Sequence, residues 1–314
     1  MTNVFIRPPL RSPLRSPLRS PLRESTSADA RFISTWDTTL PGVSGSNQIQ
    51  LPLQPTGTYP FDVKQNDIVI KTVTSDTDNV VTFATSGLNT ITINAPINGF
   101  RFNNGGDKQK LIDISQFGGL KVGNDGFYFY GCTNLDITAT DALDLTDMTS
   151  LAHCFRDCTT MISDTFNGWY TSSITNFLSM LRGMTSYNSP IAMDTSSSTV
   201  FGNMLSGCTS FNSALTIDTS NGAGFGSMFL DCFAFDQPLL LDMTSASNLN
   251  NMLSGTMLST ANYDDFLILL DATLVNSVAS FHGGNATYSA GAPATARANL
   301  LATRIGVITD GGPA

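Results

Sequence analysis

The chain contains few charged residues. Asp, Glu, Lys and Arg make up 13% of its 314 residues, well below the roughly 25% of an ordinary soluble domain. Lys and Glu are scarce, and Ser, Thr, Asn and Gly are abundant instead. No apolar run approaches the roughly 20 residues of a membrane span. The first residues, MTNVFIRPPL, lack the apolar core of a signal peptide. We therefore expect no membrane insertion. The missing signal peptide indicates either a trimmed mature form or a protein that does not use general secretion, and Met1 favours the second interpretation.

Residues that commonly carry chemistry are also few. The five cysteines are an odd number without a Cys-x-x-Cys pair, which argues against a disulfide framework or a zinc site. There are two histidines, and His153, between apolar repeat positions, is interpreted as structural. No nucleophile elbow, His-Glu-x-x-His motif or phosphate-binding loop is present. The sequence predicts no enzyme, no catalytic residue, no bound metal and no cofactor.

Basic charge is concentrated at the start of the chain. Residues 1–24 hold five Arg and one Glu, a net charge of +4, whereas residues 25–314 hold eleven Lys or Arg and twenty-four acidic residues, a net charge of −13. Phosphate binding needs clustered cations, so we expect no nucleic-acid binding by the acidic part. In RPPLRSPLRSPLRSPLR, residues 7–23, a proline in every tetrad disfavours helix and sheet and favours an extended polyproline II chain.

Two interpretations of this basic stretch stay open, a disordered linker and a docking peptide. Each tetrad carries one apolar and one cationic side chain, which is more regular than a linker requires. We favour an extended docking arm over residues 1–30 that binds another protein. Its predicted docking residues are Arg7, Leu10, Arg11, Leu14, Arg15, Leu18, Arg19, Leu22 and Arg23.

The remaining chain divides into three predicted regions of a mainly β protein with short helices. Residues 31–105 alternate apolar and polar positions in short segments between turn formers, which predicts a small β-sandwich-like domain. Residues 106–256 repeat, most clearly with a period of 24, and a fixed period of roughly 20–29 residues predicts a solenoid. Residues 257–314 break the period. Helical spacing in NYDDFLILLDATLV and APATARANLLATR, followed by a strand in IGVITDGG, predicts an α/β cap.

The repeat aligns residues into columns. Apolar columns predict continuous buried ladders, because one unit cannot bury its apolar side alone. They comprise Met180, Met204, Met228 and Met252; Phe177, Phe201, Phe225 and Leu249; Tyr187, Phe211 and Phe235; and Cys132, Cys158, Met184, Cys208, Cys232 and Thr256.

Two polar columns have open interpretations. Asp194, Asp218 and Asp242 either cap turns or bind calcium between units, and we favour turn capping. If SITNF is a strand, alternation turns Thr175, Thr199 and Ser247 outward. Two interpretations of this uncharged ladder stay open: a surface that contacts a glycan or protein, or a face that is merely solvated.

The units FGNMLSGCTSFNSALTIDTS and FGSMFLDCFAFDQPLLLDMTS resemble the BspA-type leucine-rich repeat. Met204, Cys208, Phe211, Asn212, Asp218 and Thr219 occupy matching places. The resemblance implies a right-handed leucine-rich-repeat solenoid that binds ligands and has no enzymatic activity. The usual tryptophan before Asp is replaced, by Met193, Ile217 and Leu241.

The expected function is that of a virion structural protein of a tailed phage: a fibre, spike or capsid or tail appendage. Such a protein assembles in the host cytoplasm and is exposed on the particle surface. Expected partners are other virion proteins, through the arm, and a host-surface glycan or protein, while homo-oligomerisation stays open. Alternatives are a bacterial cell-surface adhesin and, third, a polysaccharide-degrading tail enzyme.

Overall fold

The computed structural model describes residues 30–314, so the predicted docking residues at positions 7–23 lie outside the described residues. The described part is mainly β and contains two α-helices and no closed barrel. None of its helices combines the length and hydropathy needed to cross a membrane. The strands are β1 (Phe32–Asp37), β2 (Gln48–Gln50), β3 (Phe61–Gln65), β4 (Ile68–Val73), β5 (Val80–Thr82), β6 (Leu88–Ile93), β7 (Ile97–Asn98), β8 (Leu111–Gln116), β9 (Leu120–Lys121), β10 (Asp136–Ile137), β11 (Ile191–Ala192), β12 (Leu215–Thr216), β13 (Val278–His282) and β14 (Ile305–Thr309). The helices are α1 (Thr260–Thr273), α2 (Ala292–Thr303) and a 3-10 turn at Thr165–Gly168.

A six-stranded sheet forms the N-terminal part, in the order β10-β8-β1-β6-β3-β4. Its neighbours pair antiparallel except β10 and β8, which are parallel. Alternation in β1 buries Phe32, Ser34 and Trp36, as its sequence pattern predicts. Strands β8 and β10 follow residue 105, so the sheet continues beyond the predicted 31–105 region into residues predicted as repeats.

A buried ion pair holds the loop between β1 and β2. Asp107 and Lys110 are 0% and 1% exposed, and their charged groups lie 3.9 Å apart. The Asp107 carboxylate accepts hydrogen bonds from the backbone N–H groups of Val43, Ser44 and Gln50. The Lys110 ammonium donates to the carbonyl oxygens of Ser44, Gly45 and Gln48 at 3.0–3.1 Å. Both groups therefore fix the backbone of this loop.

The repeat units stack in register. Parallel bridges connect residues 150, 176, 200, 224 and 248 in turn. Alternate backbone N–H groups bond to the next unit, as from Phe177 to Val200 and from Ser179 to Gly202. The predicted apolar columns are confirmed as buried, since all their members are 0% exposed. Rings stack along them: Phe201 and Phe225 are 5.4 Å apart with planes 9° from parallel.

The C-terminal part continues this stack. Strand β13 follows the last repeat, with a parallel bridge from Leu249 to Phe281 and a hydrogen bond from Leu253 N–H to the His282 carbonyl. Strands β13 and β14 are parallel, and α1 packs on α2. The two predicted helices and the terminal strand are confirmed. The hydroxyl of Ser259 caps α1 by accepting from Asn262 N–H.

Candidate functional site

The predicted polar ladder lies on the surface of the repeat stack. Thr175, Thr199 and Ser247 are exposed, and Ala223 between them is half-buried. Their backbone N–H groups form a chain from unit to unit: Thr199 donates to the Thr175 carbonyl at 3.0 Å, and Ala223 donates to Thr199 at 2.9 Å. The structure therefore brings these side chains into one uncharged row, spaced by the stacking of the units.

The aspartate column caps turns. The carboxylates of Asp194, Asp218 and Asp242 each accept a hydrogen bond from the backbone N–H two residues later, at 2.8–3.1 Å. This is the Asx-turn arrangement that favours Asp at such positions. Within residues 30–314, no three His, Cys, Asp or Glu side chains are grouped so that they could hold a metal ion.

The cysteine column is part of the core. All five thiols are free and buried. The Sγ atoms of Cys158, Cys208 and Cys232 donate to backbone carbonyls of the preceding unit at 3.0–3.1 Å. Burial raises the pKa of the Cys208 thiol to about 12, so the reactive thiolate form is suppressed. These thiols behave as small hydrophobic side chains that also join neighbouring units.

A row of aromatic and cationic side chains lies at the N-terminal end of the stack. The ring of His153 stacks on Phe127, with centroids 4.2 Å apart and planes 9° from parallel. The Arg101 guanidinium carbon is 5.3 Å from the centre of the Phe127 ring, and that of Arg156 is 4.6 Å from the Tyr130 ring. We call Arg101, Phe127, Tyr130, His153, Arg156 and Arg182 the cationic–aromatic cluster.

Backbone geometry places the cluster in columns. Phe127 and His153 have left-handed φ angles of 61° and 57°, and they occupy equivalent positions of successive units. Arg156 and Arg182 also occupy equivalent positions, because the backbone N–H of Asp157 donates to the Arg182 carbonyl at 2.7 Å. The pKa of His153 is lowered to about 4, mainly by desolvation and further by the positive charges of Arg156 and Arg182. His153 is therefore neutral at physiological pH.

The sequence pattern does not single out this cluster as a site. His153 alone is considered from the sequence, and it is interpreted there as structural. The available signal is the alignment of Tyr130, Arg156 and Arg182 at intervals of 26 residues. The approach of Arg101 to Phe127 has no sequence signal, because residue 101 precedes the repeats.

Stacked units, buried columns and an uncharged face define a mainly β protein that contains a repeat array. More particularly, the model of the family described as "Mycoplasma protein of unknown function, DUF285" matches residues 146–266. This segment contains the units with the clearest period, and the match loosely fits a BspA-type repeat protein. No curated protein and no solved structure matches the chain significantly.

Proposed function

We propose that the chain is a structural protein of a tailed-phage virion, forming a fibre, a spike or another capsid or tail appendage. In this proposal, the arm binds another virion protein, and the repeat array faces the host surface or a neighbouring subunit. We further infer that residues 106–256 form a leucine-rich-repeat solenoid. The regular parallel bridges between units, with buried columns on one side, support that inference.

The contrast between the arm and the rest of the chain carries the proposal. The described residues have a core of their own, which runs from Phe32 in β1 to Ile308 in β14. The arm repeats Arg and Leu in proline-spaced tetrads and is the one strongly basic stretch of an acidic chain. An acidic groove with apolar pockets on another protein would complement such a segment, since Arg binds carboxylates bidentately.

The bacterial cell-surface adhesin stays the second candidate. It is favoured by the family match, whose description names Mycoplasma. Both candidates assign a binding role to the repeat face, and they differ in what holds the protein in place. The distinguishing observation is whether the protein is found on particles or on the cell envelope.

The test produces tagged full-length protein and a variant lacking residues 1–24 in cells that are producing the particles. We expect full-length protein in purified particles and the truncated protein only in the lysate. A matched control replaces Arg7, Arg11, Arg15, Arg19 and Arg23 by Ser and keeps every Leu, which separates the charge from the apolar contribution. Equal melting temperatures would show that truncation leaves the fold intact.

Equal incorporation of the truncated and full-length proteins would overturn the docking role of the arm. Full-length protein found on the cell envelope and absent from particles would overturn the virion assignment and support the adhesin.

A further inference from the structure

Within the described part of the chain, no carboxylate lies at hydrogen-bond distance from the arginines of the cationic–aromatic cluster. Arg101 Nη1 lies 3.9 Å from the nearest Asp125 oxygen, and Arg156 Nε lies 3.7 Å from Asp157. Neither distance is a hydrogen bond. Among the described residues, no carboxylate lies within ion-pair distance of Arg182. The cluster therefore holds three cations with incomplete local neutralisation.

The arginine of the C-terminal part gives the contrast. Arg297 donates from Nε to Asp310 at 2.7 Å and from Nη2 to the other Asp310 oxygen at 3.2 Å. In the cluster, by comparison, the Nε atoms of Arg101 and Arg156 are buried without a hydrogen-bond partner. Unpaired buried donors are costly, and the protein satisfies these two guanidinium groups incompletely.

The aromatic rings orient the guanidinium groups. Arg101 lies over Phe127 and Arg156 lies over Tyr130, so the planar faces of these guanidinium groups are used by cation–π contacts. The N–H groups at the edges of a guanidinium form the fork that binds carboxylate or phosphate oxygens. Stacking thus holds the guanidinium groups in place before binding. The loss of side-chain conformational entropy when an anion binds is therefore smaller.

Asp125 and Asp157 border the cluster, whereas the column that follows it along the stack is polar and uncharged. After buried Ser179, Asn203, Ser227 and Asn251 continue the column of His153 along the stack. Exposed Thr175 and Thr199 lie in units that follow it. Hydroxyl and amide groups both donate and accept hydrogen bonds, as the hydroxyls of sugars do. A long polyphosphate is disfavoured, because residues 25–314 have a net charge of −13 and the cluster holds only three cations.

We propose that the cationic–aromatic cluster binds the carboxylate or phosphate group of an anionic saccharide, while the uncharged face of the following units contacts neighbouring sugars. This assignment rests on the proposed surface-binding function, because it names the ligand class of that function. Both anionic groups offer the same oxygen pair to an arginine fork, and the test distinguishes them.

The experiment titrates purified full-length protein with four probes by calorimetry. These are hexagalacturonate, its methyl ester, a phosphorylated oligomannose and hexa-aspartate. We expect one of the two anionic polymers to bind, with affinity falling as salt rises. The methyl ester, which keeps the sugars and removes the charge, should bind at least about tenfold more weakly, equivalent to about 1.4 kcal/mol. Preference between the first and third probes assigns carboxylate or phosphate.

Variants place the binding on the cluster. Arg156→Gln combined with Arg182→Gln should weaken binding by about tenfold or more, and R182Q alone should weaken it by less. The matched control is Lys121→Gln, which removes one exposed cation at another position and should leave affinity unchanged. Melting temperatures check that each variant is folded.

Four results would overturn the proposal: a methyl ester that binds as tightly as the stronger-binding anionic polymer, full affinity in the double arginine variant, binding of neither anionic polymer, or tighter binding of hexa-aspartate. The last would assign the cluster to an acidic peptide instead. Incorporation into particles should be unchanged in the double variant, so the binding test and the virion test can fail separately.

Discussion

Replacing Lys110 by methionine removes a buried ammonium group while keeping most of the apolar stem of the side chain. The ammonium donates to the Ser44 hydroxyl at 2.9 Å and to three backbone carbonyls at 3.0–3.1 Å. It also lies 3.9 Å from Asp107, which is fully buried. The substitution therefore leaves an uncompensated carboxylate and unpaired carbonyl groups inside the protein.

Removing one partner of a buried ion pair costs about 3–5 kcal/mol. We expect Lys110→Met to lower the free energy of unfolding by about that amount, a large part of the roughly 5–15 kcal/mol of a typical domain. The assay is urea denaturation followed by tryptophan fluorescence. Trp36 reports on the same region, because the backbone N–H of its neighbour Asp37 donates to the Lys110 carbonyl at 2.8 Å.

The double variant D107N/K110M tests the mechanism. It removes both charges, and the amide introduced in place of the Asp107 carboxylate keeps one oxygen to accept from the loop, so the double variant should be less destabilised than K110M alone. The matched control is Lys121→Met. Lys121 pairs with Asp144 at 3.2 Å with side chains 43% and 24% exposed, so its loss should cost less than about 1 kcal/mol. A K110M variant within about 1 kcal/mol of the natural protein would refute the reasoning.

Three further outcomes are expected. Thr195→Val removes a buried hydroxyl that donates to the Asp218 carbonyl at 2.7 Å and should cost about 1–3 kcal/mol in denaturation, whereas exposed Thr199→Val should cost less than about 0.5 kcal/mol. The five buried thiols should react with a thiol reagent only after unfolding, and fast reaction of the native protein would contradict their placement. The melting temperature should fall as pH drops from 6.5 towards 4, since the His153 pKa is about 4 in the folded protein against an ordinary 6.5 and the unfolded chain takes up the proton first. This pH dependence should be weaker in His153→Gln, and an unchanged profile would argue against it.

The buried columns could be predicted because the repeat carries the same information many times. Phe177, Phe201 and Phe225 recur at a fixed interval, and a unit that exposes one apolar side has to bury it against its neighbours. The C-terminal helices could be predicted equally well, since helical spacing is a local signal. The pairing of β8 with β1 could not be predicted from the sequence. Strand partners far apart in sequence leave no local mark on either strand.

The polar contacts likewise include some that the sequence predicts and some that it does not. Turn capping by Asp194 could be anticipated, because the acceptor lies within two residues of its donor. The pair of Asp107 and Lys110 could not, since both residues lie in a Gly- and Asn-rich segment that is typical of an exposed loop. Their burial depends on the loop at residues 43–50, which is more than 50 residues earlier in the chain.

The sequence by itself determined where apolar side chains recur, and hence which residues of the repeats are buried. Hydrophobic burial follows periodicity, which is a property of the chain alone. Only the tertiary structure decided how closely the charged and aromatic groups approach each other. Arg101 lies over Phe127, and His153 stacks on Phe127, because stacking sets the distance between units and left-handed backbone angles set the direction of the rings. Electrostatic contacts depend on those distances, which no spacing along the chain specifies.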